Sequence, residues 1–153
     1  MSIEVGQQAP EFTLKDQSGN DVSLATLREN ADVVLVFYPF TFSGICEAEL
    51  CSLRDDLQDF ADSGAQVVAV SCDSRHSQRI WSEQQSYSFP VLSDFWPHGA
   101  VAKAYGVFND DLGCAIRATF VIDKSGVVID AFATDSLATP RDQVSYKDAL
   151  SKL

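Results

Sequence analysis

Residues 33–39 read VVLVFYP, and residues 40–46 continue FTFSGIC. The first stretch is an unbroken β-branched and aromatic run, the pattern of a strand buried on both faces rather than one with a wet side. A short loop follows, and the sequence predicts a helix from near Ile45 to about Asp62. Counted from Cys46, the apolar positions Leu50, Leu53, Leu57 and Phe60 recur at helical spacing. Cys46 therefore heads the stripe that the helix turns inward, one turn from its start.

The rest of the chain extends this unit in both directions. Residues 65–71, AQVVAVS, are a second buried strand, so strand, helix and strand make a parallel βαβ unit. Residues 11–27, EFTLKDQSGNDVSLATL, alternate around a Ser18-Gly19-Asn20 turn signal and predict two short strands. HSQRIWSEQQ at 76–85 predicts a second helix, and GAVAKAYGV at 99–107 a short third one. ATFVID at 118–123 and VVIDAFA at 127–133 flank Lys124-Ser125-Gly126 as a hairpin, and RDQVSYKDALSKL at 141–153 is a terminal amphipathic helix. This is a thioredoxin-like order. It predicts an α/β fold with a central mixed β-sheet flanked by helices and an N-terminal β-hairpin extension. No repeat, low-complexity tract or linker interrupts it, so residues 1–153 are expected to form a single domain. Open α/β sheets place their sites beyond the carboxyl ends of the central strands, where residues 39–46 fall.

Composition narrows the chemistry. A hydrophobic fraction of 46% supports a real core, and 22% charged residues argue against disorder. Twenty-two acidic against 11 basic residues give a net charge of −11. Such a surface repels phosphate backbones and anionic lipid, so neither nucleic acid nor a membrane is an expected partner. The start, MSIEVGQQAPEF, lacks the pattern of a signal peptide, and no apolar run reaches the ~18 residues of a membrane helix. The expected location is cytoplasmic. Four cysteines are too sparse for a disulfide-stapled scaffold. With only His76 and His98 beside Cys46, Cys51, Cys72 and Cys114, no close-spaced pair of ligands supports zinc. No metal or cofactor is expected.

Cys46 is the candidate reactive group. The free N–H groups and the positive dipole end of a helix start favour a thiolate over a thiol. The preceding loop can wrap amides around the sulfur as an oxyanion cradle. Position alone leaves simple packing equally open, because free cysteine is among the most buried residue types.

The surroundings separate these readings. Pro39-x-x-x-Ser43-x-x-Cys46 matches the Pro-x-x-x-Thr/Ser-x-x-Cys motif, and the chain resembles the peroxiredoxin family through nearly its whole length. GQQAPEFTL at 6–14 is similar to the family's N-terminal segment, and Arg117 in IRATFVID stands where the family carries its active-site arginine. More narrowly, FYPFTFSGICEAEL at 37–50, FPVLSDFWPHGAVAKAYGVF at 89–108 and RATFVID at 117–123 resemble the alkyl hydroperoxide reductase E type of actinobacteria. The resemblance implies a thiol-dependent peroxidase acting on hydrogen peroxide and organic hydroperoxides. Cys46 would be the peroxidatic nucleophile and pass through a sulfenic acid. Ser43 would hold the peroxide by its hydroxyl, Pro39 would shield the sulfur, and Arg117 would stand by it as a permanent cation. Arg141 corresponds to a second arginine of this type, with Glu49 as a helix acid that orients it. The resemblance also implies a homodimer and a thiol reductant, whether thioredoxin, a glutaredoxin-like (mycoredoxin) protein or a low-molecular-weight thiol.

Cys51 is a candidate resolving cysteine. Relatives of the E type commonly lack a cysteine here and use an external thiol. The Q type, the bacterioferritin comigratory branch, carries its resolving cysteine at this offset. Five residues along a helix separate Cα atoms by roughly 8–9 Å, more than the about 7 Å a disulfide spans, so the first turns must unwind. Cys51 shares a helix face with Glu47, Asp55 and Gln58 and is expected to be exposed; a bystander Cys51 with an external thiol is the alternative. Cys72 ends a buried strand and reads as packing. Cys114, in a loop after Gly113, reads as an exposed, oxidisable thiol or a spectator. Phe40, Phe42, Trp96 and Phe108 would favour organic peroxides, and Trp96 and His98 would shape a loop or a dimer contact. Two other functions compete. A thiol–disulfide oxidoreductase needs Cys-x-x-Cys, and Glu49 holds the second place. A redox sensor or holdase-like binding protein would use the same cysteine without efficient turnover.

Overall fold

The computed structural model describes residues 2–153. The N-terminal hairpin forms as expected: β1 (Thr13–Lys15) pairs antiparallel with β2 (Asp21–Ser23). Its turn places Gly19 at φ 86°, where a Cβ would be strained, and the Asp16 carboxylate accepts from the Ser18 and Asn20 amides. A one-turn helix, α1 (Leu24–Leu27), follows at once; Ser23 caps it by accepting from the Thr26 amide. The buried run becomes β3 (Asp32–Phe37) and leads through a loop into α2 (Gly44–Asp55) and α3 (Leu57–Asp62).

The helix expected to run unbroken to Asp62 is thus divided at Asp56. Asp55 and Asp56 place two carboxylates at the carboxyl end of α2, where the helix dipole opposes negative charge. Asp56 leaves helical geometry and becomes the N-terminal flank of α3, where its charge is welcome.

The remaining elements are β4 (Ala65–Ser71), α4 (Arg75–Gln85), β5 (Val91–Ser93), α5 (Ala100–Ala104), β6 (Phe108–Asn109), β7 (Cys114–Ala115), β8 (Ala118–Ile122), β9 (Val128–Ala133) and α6 (Gln143–Leu150). Seven strands form one mixed sheet in the order β2-β1-β5-β4-β3-β8-β9, and β6 pairs with β7 apart from it. β3, β4 and β5 are mutually parallel, while β8 runs antiparallel to β3 and β9 to β8. The hairpin joins through the Lys15–Ser93 pair and extends the sheet beyond β5. Elements α1, β5, β6 and β7 are two to four residues long. Such pieces carry too little periodicity to be read from sequence.

Alternation along β3 explains its unbroken apolar run. Val33, Leu35 and Phe37 pack on one face with Phe12, Val68, Tyr105 and Phe120. Val34, Val36 and Tyr38 pack on the other with Cys46, Leu50, Leu53, Trp81 and Tyr87. The predicted stripe of α2 therefore closes the second face. Because β3 ends at the sheet's carboxyl edge, the chain must turn there to enter α2, and that turn carries the site. Among the described residues no helix is long and apolar enough to cross a membrane.

Candidate active site

The turn is built from its tethers. Tyr38 continues the β3 ladder by one bond, its amide donating to Val70 O at 3.0 Å. Its buried phenol pairs with Thr41 Oγ1 at 2.9 Å, and burial pushes that phenol above the ordinary tyrosine range, so it stays neutral. The Thr41 amide donates to Asp73 Oδ2 at 2.8 Å. Phe42 then takes a left-handed conformation, φ 71°, with its ring centroid 6.1 Å from that of Trp81. Ser43 stands at the N-cap of α2, yet its hydroxyl makes no capping bond. The Ser43 Oγ is buried and has no hydrogen-bond partner among the described residues. In the first turn of α2, Glu47 Oε1 accepts from Trp81 Nε1 at 3.1 Å and Gln85 Nε2 at 3.0 Å, tying α2 to α4.

Behind this turn lies a closed cluster of charge. Cys46, Glu49, Arg117 and Arg141 are all buried. Arg117 stands one residue before β8. Its Nη1 donates to Cys46 Sγ at 3.2 Å and to Glu49 Oε1 at 2.6 Å, and its Nε donates to Leu137 O at 2.8 Å. Arg141, just ahead of α6, grips the same carboxylate from the other side. Its Nη2 donates to Glu49 Oε1 at 3.0 Å, its Nε to Oε2 at 3.2 Å, and its backbone amide to Oε2 at 2.7 Å. Its Nη1 donates to Phe37 O at 2.6 Å and Ala118 O at 3.0 Å, a partnered pair across β3 and β8. Two guanidinium groups against one carboxylate leave one positive charge over in the cluster, and Arg117 Nη1 touches both the carboxylate and the sulfur.

A cleft of about 350 Å³ opens beside the cluster, lined by Pro39, Phe40, Ser43, Gly44, Ile45, Arg117, Leu137 and Ala138. A small oxygen-bearing molecule in it would meet the free Ser43 hydroxyl and the Arg117 guanidinium between apolar walls. The structure thus gathers Pro39, Ser43, Cys46, Glu49, Arg117 and Arg141 into one place. Neither Glu49 nor Arg141 is a solvated surface charge.

The other cysteines differ in kind. Cys51 is half-buried rather than exposed, because α4 and the segment after it cover its face of α2. Its thiol lies 3.5 Å from Gln85 Oε1 and 3.6 Å from the Tyr87 hydroxyl. Cys72 is buried, and desolvation, aided by Asp94 and Asp73, pushes its thiol up to about 12. Cys114 sits in β7, buried rather than exposed, and burial likewise raises its thiol, with Asp73 and Cys46 adding to the effect.

Of the four aromatic residues expected near the peroxide, only Phe40 lines the cleft. Phe42 turns toward Trp81, Phe108 lies under Lys103 with its ring centroid 4.7 Å from the ammonium, and Trp96 is 81% exposed elsewhere on the surface. His98 Nε2 meets Gly113 O at 2.6 Å and Nδ1 meets Phe95 O at 3.2 Å, so it clips two loops together. Sequence reasoning missed Tyr38, Asp73 and Glu47. A signal for Asp73 was present, as a carboxylate just past the carboxyl end of a central strand, on the edge where such sites form.

A family model described as AhpC/TSA family matches residues 5–131. Alkyl hydroperoxide reductase E of Mycobacterium tuberculosis (strain H37Rv) is 45% identical over 151 residues, spanning 99% of this chain and 98% of its own. Peroxiredoxin Q, chloroplastic, of Sedum lineare is 39% identical over 127 residues, 82% of this chain and 67% of its own. Among solved structures, peroxidoxin BcpB from Mycobacterium tuberculosis superposes with a TM-score of 0.87 at 32% identity, covering 98% of this chain and 96% of that one.

Glu49 is the common anchor of both arginines, and its loss has a measurable consequence. Glu49→Ala strands two buried guanidinium groups and should destabilise the fold by about 3–5 kcal/mol. Urea unfolding reads this directly, and a loss below about 1 kcal/mol would show the pair of cations satisfied without it.

Proposed function

This chain belongs to the AhpC/TSA family of peroxiredoxins and is a thiol-dependent peroxidase; from there we propose that Cys46 is its nucleophile, with Ser43, Arg117 and Pro39 completing the catalytic site. The observation that carries this reading is the 3.2 Å contact between Arg117 Nη1 and Cys46 Sγ, beside a buried, unpartnered Ser43 hydroxyl. A redox sensor or holdase-like role is not favoured, because relatives matched along the chain are named as a reductase and a peroxiredoxin.

The reaction follows from the charges. A thiolate at Cys46 balances the surplus cation of the Glu49–Arg117–Arg141 cluster, which removes much of the cost of burying it. Its sulfur attacks the terminal oxygen of a hydroperoxide; the O–O bond breaks, sulfur is oxidised to sulfenic acid, and the departing oxygen leaves as alcohol or water after gaining a proton. Ser43 both accepts from and donates to the bound peroxide. Arg117 meets the negative charge that spreads over both oxygens in the transition state. Pro39 and Phe40 keep bulk water from the sulfur. The largely apolar cleft wall supports organic hydroperoxides as well as hydrogen peroxide among the substrates.

Glu49 and Arg141 act as positioning residues. Reduction returns two electrons from a thiol reductant, and we propose that Cys51 captures the sulfenic acid first, releasing water as the disulfide forms. Cys46 and Cys51 lie on one continuous helix, so α2 must unwind from its first turns and release Glu47 and Cys51 from α4. The disulfide would then be reduced by thioredoxin or a glutaredoxin-like protein, with direct reduction of the sulfenic acid by a low-molecular-weight thiol as the second route. One domain carries these steps, in a cytoplasmic homodimer. Phe95, Trp96 and Leu112 are exposed apolar side chains suited to the pairing surface.

Arg117→Ala should slow peroxide reduction by about a hundredfold to a thousandfold, or about 2–4 kcal/mol, and Cys46→Ser should abolish it. A stopped-flow rate for Arg117→Ala within a factor of about three of wild type would make this arginine structural only. Peptide mass mapping after one equivalent of peroxide, without added thiol, should find a Cys46–Cys51 disulfide. A persistent, dimedone-trappable sulfenic acid at Cys46 with Cys51 still free would rule out intramolecular resolution. Sedimentation should give a dimer at micromolar concentration that Trp96→Glu shifts toward monomer; a wild-type monomer contradicts the pairing.

A further inference from the structure

Asp73 lies two residues past the end of β4 and one residue before the N-cap of α4. It is held rigidly. Its Oδ2 accepts from Ser71 Oγ at 2.7 Å, its carbonyl accepts from Ser93 Oγ at 2.6 Å, and the same Ser71 hydroxyl accepts from the buried Gln78 Nε2 at 2.9 Å. From this base the carboxylate reaches across to the turn that carries the site, where Oδ2 also accepts the Thr41 amide at 2.8 Å. The Tyr38 hydroxyl holds Thr41 from its side chain at 2.9 Å. The next residue, Phe42, is a non-glycine residue at φ 71°, a conformation that persists only where surrounding contacts impose it. After it come Ser43, with its free hydroxyl, and the first turn of α2. Without the bond at Thr41 the left-handed residue loses one of the contacts that hold it, and the placement of Ser43 depends on what remains, the Ser43 amide to Phe40 O at 3.3 Å.

We propose that Asp73 is a positioning residue for peroxide reduction, whose carboxylate pins the Thr41 amide and thereby aims the Ser43 hydroxyl at the substrate beside Cys46. The proposal rests on Cys46 being the nucleophile, but Asp73 touches neither the sulfur nor the cleft. Its role therefore separates two reactions of the same cysteine. Attack on peroxide needs the aimed loop; alkylation by iodoacetamide needs only an accessible, ionised sulfur.

The test measures both rates at Cys46, by stopped flow for peroxide and by timed quench with peptide mass mapping for iodoacetamide. Asp73→Ala should lower the peroxide rate by about 10- to 100-fold, the cost of a misplaced reacting group, while alkylation changes by less than about threefold. Asp73→Asn keeps an oxygen acceptor and should restore the peroxide rate to within about threefold of wild type. Urea unfolding of each variant reports any loss of the fold, independently of the thiols whose ionisation Asp73 itself influences. If Asp73→Ala unfolds, Asp73→Leu makes the same deletion while filling the space. A deletion variant that keeps the wild-type peroxide rate overturns the proposal, as does one that loses both rates equally. A wild-type Cys46 no faster with peroxide than a free cysteine overturns the assignment of the nucleophile, and the tether with it.

Discussion

A single carboxylate, that of Glu49, lies buried between two guanidinium groups. Burying three charges costs several kcal/mol for each ion unless every donor finds an acceptor. Here further donors go to the carbonyls of Phe37, Ala118 and Leu137 and to the Cys46 sulfur. The ion cluster therefore fixes α2 against the ends of β3 and β8 and against the segment before α6. It also reaches the sulfur one helical turn away, through the Arg117 Nη1 contact with Cys46 Sγ at 3.2 Å.

The geometry in front of the cluster has a different origin. β3 is packed on both faces and paired on both edges, which gives the chain leaving it a defined starting point. The helix that receives it is fixed by Leu50 and Leu53 below and by the Glu47 bonds to α4 at its side. A short loop must join these two anchors, and one of its residues is left-handed as a result. Strain of this kind is held by the contacts around it. It leaves the Ser43 hydroxyl unspent where an ordinary N-cap would use it on the helix.

Four cysteines in one small fold show how environment, rather than residue type, sets thiol chemistry. Cys46 and Cys72 are both buried, but one faces a guanidinium and the other faces Asp94 and Asp73, whose charges oppose ionisation. Cys114 is desolvated in a two-stranded pairing. Cys51 lies between a glutamine and a tyrosine at the seam of two helices, in contact with the elements that would have to part for it to react.

Local pattern alone was enough for several parts of this protein. The apolar run at 33–39 marked a buried strand and the stripe from Cys46 through Leu53 an inward helix face, while the resemblance to a known family marked Pro39, Ser43 and Cys46 at their junction. These are short-range properties, carried by residues within a few turns of one another. Glu49, Arg117 and Arg141 lie up to 92 residues apart, and nothing local marks their side chains as buried or as partners. The same holds for Asp73 and Thr41, which meet only because β3 and β4 lie side by side. The half-burial of Cys51 and the break at Asp56 were likewise decided by neighbouring elements and by the end of a helix. Periodicity along the chain specifies which face of an element turns inward, but the pairing of buried charges depends on distances between elements that only the folded sheet brings together.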